Sequence, residues 1–233
     1  MGGARERTAG AVHRLLDGRY VRQPFGVGRG LVLPADGGFR AAIGLYEVEI
    51  ARFVTRLVGE RSTCYDVGAA RGLYTLALAR RATCGHVVAF EPDEALHARL
   101  PATLARNQAL AARVTIVPVA LGAEGGPAAT TIDALVAERG PRFRPDFLKI
   151  DVEGAEHDVL RGGMCAIRSG RPRFIIESHG FEVEAACLHL LAAEGYGYVI
   201  VNAQRVWPEH RPLELNRWIV AVHRSDPKAT VVT

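Results

Sequence analysis

The sequence predicts an α/β protein built on a mostly parallel sheet covered by helices, and three observations carry that expectation. From Arg61 onward, short β-rich runs alternate with amphipathic segments, the pattern that a parallel sheet with crossover helices produces. The first run ends in a glycine turn, "YDVGAARGLYTLAL", in which Asp66, Gly68 and Gly72 are spaced as D-x-G-x-x-x-G. A chain of 233 residues with no internal repeat and no linker-like stretch is long enough for one such core, so residues 1–233 are read as a single domain.

The elements follow in order. Residues 1–60 form an N-terminal extension or cap: a short polar helix, the Gly/Pro-rich stretch "PFGVGRGLVLPADGGF", and a helix "GLYEVEIARFVTRLVG" that leads into the core of residues 61–233. Strands are expected at 63–68, 86–91, 114–120, 146–151, 173–178, 197–202 and 217–223, each rich in β-branched or aromatic residues. Between them "LYTLALARRA", "DEALHARLPATLARNQAL", "IDALVAERG", "AEHDVLRGGMCAIRSG" and "EVEAACLHLLAAEG" repeat apolar residues at helical spacing. Asp93 and Asp133 are suited to cap the second and third of these helices, and Gly140, Gly170 and Gly195 to end helices. Pro101 should kink or divide the second. Only "AQRVWPEHRPLELN" separates the last two strands, so they are expected to pair as an antiparallel hairpin.

Composition bounds the function. With 48% apolar and 23% charged residues, the chain is neither disordered nor fibrous. It has no window of eighteen uninterrupted apolar residues and no secretory-type apolar core near the start, so no membrane partner and a cytoplasmic location are expected. Cys64, Cys84, Cys165 and Cys187 form no C-x-x-C pair and are read as reduced, mostly buried thiols. The net charge of +4 is modest, Lys149 and Lys228 are the only lysines, and the arginines are scattered. A nucleic-acid partner is therefore disfavoured.

The glycine turn is the most informative local feature. Gly68 permits a tight turn and close approach of a ligand, and Gly72 lets the next helix pack near the strand. A dinucleotide fingerprint would place a glycine where Ala70 stands, which weakens a pyrophosphate-binding reading. Glu91 ends the second strand, nineteen residues after Gly72, where a carboxylate can accept hydrogen bonds from ribose hydroxyls. A nucleoside without a diphosphate fits both facts, and S-adenosylmethionine is such a ligand, its cationic sulfonium suited to nearby carboxylates. The plainer alternative is a bare strand-to-helix turn with Glu91 as a solvated strand end.

In order, "DVGAARGLYTLAL", "VVAFEPDEAL", "TTIDAL", "DFLKIDVEGAEHDVLRGG" and "PRFIIESHG" span about residues 46–180 and resemble the FkbM-like family of S-adenosylmethionine-dependent methyltransferases. The resemblance implies a Rossmann-like class I methyltransferase fold: a seven-stranded, mostly parallel sheet of order 3-2-1-4-5-7-6, the last strand antiparallel, with helices on both faces. It also implies methylation of a hydroxyl on a sugar or natural-product small molecule. Family members commonly carry Asn where this chain has Ala70, so one polar contact in the turn is missing. On the positions that match, the cofactor-binding residues are Glu47, Asp66, Gly68, Ala69, Gly72, Tyr74, Glu91, Pro92, Ala120 and Asp151.

In the implied order the fourth strand lies beside the first, so Asp151 borders the same crevice as Asp66 and Gly68. Alternation puts Lys149 and Asp151 on one side of that strand. Asp151, Glu153, Lys149 and His179 are the catalytic candidates, with His179 the preferred base for an alcohol acceptor and Lys149 a neutralising partner. Glu156, His157 and Asp158 read as solvated residues of a helix start. A divalent ion such as Mg²⁺ on Asp151, Glu153 and His179 would also lower the acceptor's pKa, but no spacing motif compels a metal and none is favoured. Two other readings stay open: a nucleic-acid methyltransferase, although the N/D-P-P-Y/F element is absent, and a non-catalytic S-adenosylmethionine-binding module. The helix "LYEVEIARFVTRLV" would cap the site or build a homodimer surface, and residues 1–40 and 202–216 are expected to choose the acceptor.

Overall fold

A computed structural model of the chain describes residues 18–36, 38–202 and 216–232. The polar helix expected near the start and the loop between the last two strands lie outside these residues. In the N-terminal extension β1 (Tyr20–Arg22) and β2 (Val32–Pro34) pair antiparallel. The main sheet begins with β3 (Thr63–Val67), β4 (His86–Phe90) and β5 (Val114–Val117). Pro118, which has no N–H to give a ladder, ends β5 early, and the expected 114–120 strand divides. Its remainder, β6 (Ala120–Leu121), pairs with β7 (Ala129–Thr130) in a separate parallel ladder. The main sheet continues with β8 (Phe147–Ile150), β9 (Arg173–His179), β10 (Tyr196–Asn202) and β11 (Asn216–His223).

The sheet order is β5-β4-β3-β8-β9-β11-β10, which is the expected 3-2-1-4-5-7-6 when these seven strands are counted alone. β11 runs antiparallel to both neighbours, and the pairs β5-β4, β4-β3, β3-β8 and β8-β9 are parallel.

Period-two alternation sorts the strand residues into two cores. Tyr65, Val67, Phe90, Leu148, Ile150, Phe174 and Ile176 pack on one face under Val159, Leu160, Ile167 and Leu191 from helices. Cys64, Val87, Phe147, Ile175, Trp218 and Val220 pack on the other, under Phe53, Val54 and Leu57 of the helix Ala51–Leu57 and Tyr74 and Leu78 of the helix Leu73–Arg81. Each large side chain so buried contributes roughly 1.5–3 kcal/mol. The near-continuous apolar runs of β3, β4 and β8 follow from being covered twice.

Several elements differ from expectation for identifiable reasons. The helix expected over 44–59 is confined to Ala51–Leu57, because Gly44 and Glu47 adopt left-handed backbone at φ 79° and 50°. The 93–110 segment breaks into Glu94–His97, Leu100–Ala105 and Gln108–Ala111, with Pro101 in the first turn of the middle piece and Asp93 capping the first through Leu96 N at 2.8 Å. The 155–170 segment becomes two helices, Glu156–Arg161 and Met164–Gly170. At the break a Cβ on Gly162 would lie 1.9 Å from the Gly122 carbonyl oxygen. The left-handed position after the second of these helices is held by Arg171, not Gly170. Cys64 and Cys187 are buried, whereas Cys84 and Cys165 are exposed, so the thiols are not mostly buried.

Asp133 does not cap its own helix. Thr131 does, its hydroxyl accepting from Ala134 N at 3.0 Å. The Asp133 carboxylate instead accepts from Cys165 N and Ala166 N, both at 2.8 Å, and so satisfies two orphan donors at the start of Met164–Gly170.

The turn after β3 positions the site. Gly68 and Gly72 have φ of 82° and 84°, and Ala70 between them has φ 44°. A Cβ on Gly68 would lie 1.8 Å from the Asp151 carbonyl oxygen, so this glycine admits the neighbouring chain as well as a tight turn. Gly72 supplies the left-handed residue that starts the helix Leu73–Arg81. Ala70 pays the steric penalty of the left-handed region that Gly or Asn largely avoids, and this accounts for the Asn common in the family its motifs resemble.

Two substitutions test these assignments. Asp133→Ala should lower stability by about 1 kcal/mol, in the range of a lost N-cap, read as an earlier midpoint in urea unfolding. Ala70→Gly should raise it by about 1 kcal/mol in the same measurement, because the left-handed turn is then unstrained.

Candidate active site

The crevice lies at the carboxyl ends of β3, β4 and β8, where open α/β sheets bind ligands. It comprises two adjoining cavities of about 110 and 320 Å³ that share Gly68, Ala70 and Asp151. Glu47, Asp66, Ala69, Tyr74 and Lys149 line the first, together with Gln23 and Leu33 of the N-terminal extension. Glu91, Pro92, Ala120, Phe90 and Leu121 line the second. Of the residues expected to bind a cofactor, Gly72 lines neither cavity and acts through backbone shape alone.

Glu91 is buried and tied to the turn. Its Oε2 accepts from Ala70 N at 2.7 Å and its Oε1 from Asp93 N at 2.9 Å. The reading of Glu91 as a solvated strand end is therefore wrong. Each carboxylate oxygen keeps a second lone-pair direction, so the group is oriented and still able to accept two further hydrogen bonds from a ligand.

The first cavity is acidic around one buried ammonium. Registers place Asp66 opposite Lys149, and alternation puts both on the sheet face that carries Tyr74 and Trp218. Lys149 Nζ lies 2.7 Å from Asp151 Oδ2, 5.0 Å from the Tyr74 ring centroid and 5.8 Å from that of Trp218. Burial opposes its charge, but Asp151, Glu47 and Asp66 outweigh burial and hold its pKa above the usual lysine value. Asp66 is fully buried and accepts from the Thr75 hydroxyl at 2.5 Å. Burial raises its pKa to about 6 against the pull of Lys149. Burial likewise raises Glu47 to about 8 despite Lys149. A cationic ligand group entering this cavity would favour the ionised forms of Glu47 and Asp66.

His179 ends β9 and joins the loop after β8. Its Nδ1–H donates to Glu156 Oε1 at 2.7 Å, and Nε2 faces Glu153 Oε2 at 3.3 Å and Asp151 Oδ1 at 3.7 Å. Burial would lower its pKa, but the hydrogen bond and charge of Glu156, with Asp151 and Glu177, raise it to about 8. Glu156 is 0% exposed. Its Oε1 also accepts from Gly154 N at 3.0 Å, and burial notwithstanding these donors hold its pKa below the usual glutamate value. This corrects the expectation of a solvated residue for Glu156, whereas Asp158 in the same turn is exposed as expected. Glu153, with φ 55° and a side chain 88% exposed, is the rim of the site.

Sequence reasoning missed Glu177 as well. It is 4% exposed and offers a carboxylate oxygen that lies with donor atoms of Asp151 and His179 inside a 4.8 Å cluster. The signal was available in "ESH", where alternation puts Glu177 and His179 on one side of β9. No helix among the described residues is long and apolar enough to cross a membrane.

A sequence model described as the methyltransferase FkbM domain matches residues 126–200, the stretch from β7 into β10 that contains Asp151, Glu153, Glu156, Glu177 and His179. No curated protein matches the chain. Among solved structures, methyltransferase FkbM from Methylobacillus flagellatus superposes with a TM-score of 0.54 at 21% identity, covering 70% of this chain and 44% of that one. A SAM-dependent O-methyltransferase from Thermotoga maritima gives 0.54 at 18% identity, covering 76% and 65%. A putative rRNA-methylase from Clostridium thermocellum gives 0.52 at 13% identity, covering 73% and 91%. The chain thus spans less than half the length of the Methylobacillus protein, and these identities speak to fold. The resemblance carried by the motifs is shown: the chain has an FkbM methyltransferase domain match over residues 126–200, on the fold of the S-adenosylmethionine-dependent methyltransferases.

Proposed function

We propose that this chain is an S-adenosylmethionine-dependent O-methyltransferase that acts on a hydroxyl of a small molecule, a sugar or natural-product scaffold. The observation that carries the reading is Glu91. A buried carboxylate locked to the glycine turn, with lone pairs left over, suits the vicinal hydroxyls of a ribose, and the Ala70 turn offers no pyrophosphate cradle.

The two cavities fit the two halves of such a ligand. Adenine would lie among Phe90, Pro92, Ala120 and Leu121, and the methionyl part beside Asp66, Glu47 and Tyr74, with Gly68, Ala69 and Ala70 beneath. The bound cofactor supplies an electrophilic methyl on a cationic sulfur. Asp66, Glu47 and Asp151 favour that charge, while Lys149 holds Asp151 in position by its 2.7 Å contact. The acceptor oxygen must lie in line with methyl and sulfur, with water excluded. An acceptor hydroxyl that took this methyl would lose its proton toward the Asp151, Glu153 and His179 cluster.

A small acceptor is favoured over nucleic acid by the distribution of charge. Arg61, Arg142 and Arg144 gather around a cleft with Thr63, His86 and Asp146, at the amino ends of β3, β4 and β8 and so away from the crevice. Near the crevice, Arg71 and Arg99 are both taken by Asp36, at 2.8 and 2.9 Å.

Calorimetric titration with S-adenosylmethionine and S-adenosylhomocysteine tests the reading. Both should bind the wild-type chain, and Glu91→Gln should weaken both by about ten-fold or more, since hydrogen bonds to a charged group are at stake. Absence of any binding heat to the folded wild type would sink the proposal.

A further inference from the structure

We propose that Asp151, Glu177 and His179 form a binding site for a first-row divalent ion, Mn²⁺ by its chemistry, which holds and acidifies the acceptor hydroxyl. The inference rests on the methyl-transfer reading for the role of the ion, and on geometry alone for its existence.

Three observations support the site. One donor atom from each residue lies within 4.8 Å of the other two. Ligands on an ion at about 2.1 Å lie within roughly 4.2 Å of each other, so small side-chain rotations close the set. Second, the buried Glu156 carboxylate takes the Nδ1 proton of His179. A carboxylate on the far nitrogen is the partner that orients a metal-binding imidazole, and it leaves the Nε2 lone pair as the ligand. Nε2 faces the oxygens of Asp151 and Glu153. An ion here would take the place of the Nε2 proton, which otherwise bridges these groups.

Third, the ligands are built into rigid structure. Glu177 and His179 are on one side of β9, and Asp151 directly follows β8, the strand hydrogen-bonded to β9. Lys149 engages Asp151 Oδ2, and Asp151 Oδ1 lies 3.7 Å from His179 Nε2. The side chains of His179 and Asp151 are 13% and 21% exposed, so the charges interact in a medium that screens them less than water does.

The donor set selects the ion. Two carboxylates and an imidazole with no thiolate are a mixed oxygen and nitrogen field. Mg²⁺ and Ca²⁺ prefer oxygen alone, and soft ions prefer sulfur. Three protein ligands leave positions for water and for one substrate oxygen. Asp151 lines both cavities, whereas Glu177 and His179 line neither, so an ion here would stand beside the cavities and face them on the Asp151 side. Coordination of the hydroxyl would lower its pKa. The O–H proton passes to the exposed Glu153 carboxylate and on to water, and the oxygen pair forms the C–O bond as the C–S bond breaks.

The test is Mn²⁺ binding to the full chain, followed by loss of the free-ion electron paramagnetic resonance signal. Wild type should bind one equivalent, Glu177→Gln should bind at least ten-fold more weakly, and the surface control Glu182→Gln should match wild type. Glu156→Gln, a change at the positioning residue, should weaken binding by about 10–100-fold. Thermal unfolding with and without MnCl₂ guards against misfolded variants: the ion should raise the midpoint of wild type and leave Glu177→Gln unmoved. No stoichiometric Mn²⁺ binding, with ¹⁵N shifts showing both nitrogens of His179 protonated, would mean that a proton fills the place and would overturn the inference. S-adenosylmethionine titration of the same proteins separates the two ideas. Cofactor binding without Mn²⁺ binding removes the ion alone, and Mn²⁺ binding without cofactor binding leaves the ion site standing while the methyl-transfer reading falls.

Discussion

A single buried ammonium makes the crevice tolerable. Lys149 reaches Asp151 at 2.7 Å and lies over the faces of Tyr74 and Trp218, and its charge lowers the pKa of both Asp66 and Glu47. Burying an ion costs several kcal/mol even after relaxation, and a pair offsets that cost only with good geometry and further partners. Here the partners are several carboxylates around one cation. Even so, burial leaves Glu47 near 8 and Asp66 near 6, so a cation entering the cavity would favour their ionised forms. That response suits the cavity to a cationic ligand group.

The same lysine explains the density of ionisable residues in "FLKIDVEGAEH". Phe147, Leu148 and Ile150 are fully buried and fix β8 between β3 and β9, so the polar residues at its end must occupy the crevice mouth. Lys149 then turns toward Asp66, Asp151 carries the ion pair to the surface of the cavity, and Glu156 turns back under the loop to take His179. The fold imposes this crowding. Gly68 and Asp151 approach so closely that no Cβ fits between them, and the ends of β3 and β8 therefore share one site.

Much of this was legible in the sequence because it is local. The β-rich runs, the glycine turn, Glu91 and the last hairpin all declare themselves through periodicity or spacing, and the sheet order followed from the motifs that resemble a known family. What stayed hidden depends on partners far along the chain. Glu156 looks like any acidic residue in a first helical turn until β9 brings His179, twenty-three residues away, to its carboxylate. Asp133 has the position of a cap for its own helix, yet the break at Gly162 and Gly163 presents a closer set of orphan N–H groups. Glu47 lay in a helical pattern, but with positive φ at Gly44 and Glu47 the chain turns and Glu47 lines the same cavity as Lys149. Local pattern gives the element, while packing chooses the partner.

The contacts also connect the two layers of the molecule. Glu156 belongs to a helix packed on the face with Val159 and Leu160, whereas Tyr74 belongs to the helix on the opposite face. Between them runs a chain of charged and polar contacts over the end of the sheet: Glu156 to His179, His179 to Asp151, Asp151 to Lys149, Lys149 to the Tyr74 ring. In a medium of low dielectric each member responds to the charge of the next. A cation placed beside His179 would compete with Lys149 for Asp151, and the charge so displaced would be felt by Glu47 and Asp66 in the other cavity. Binding on one side of Asp151 would therefore be energetically linked to binding on the other, with Asp151 as the shared residue.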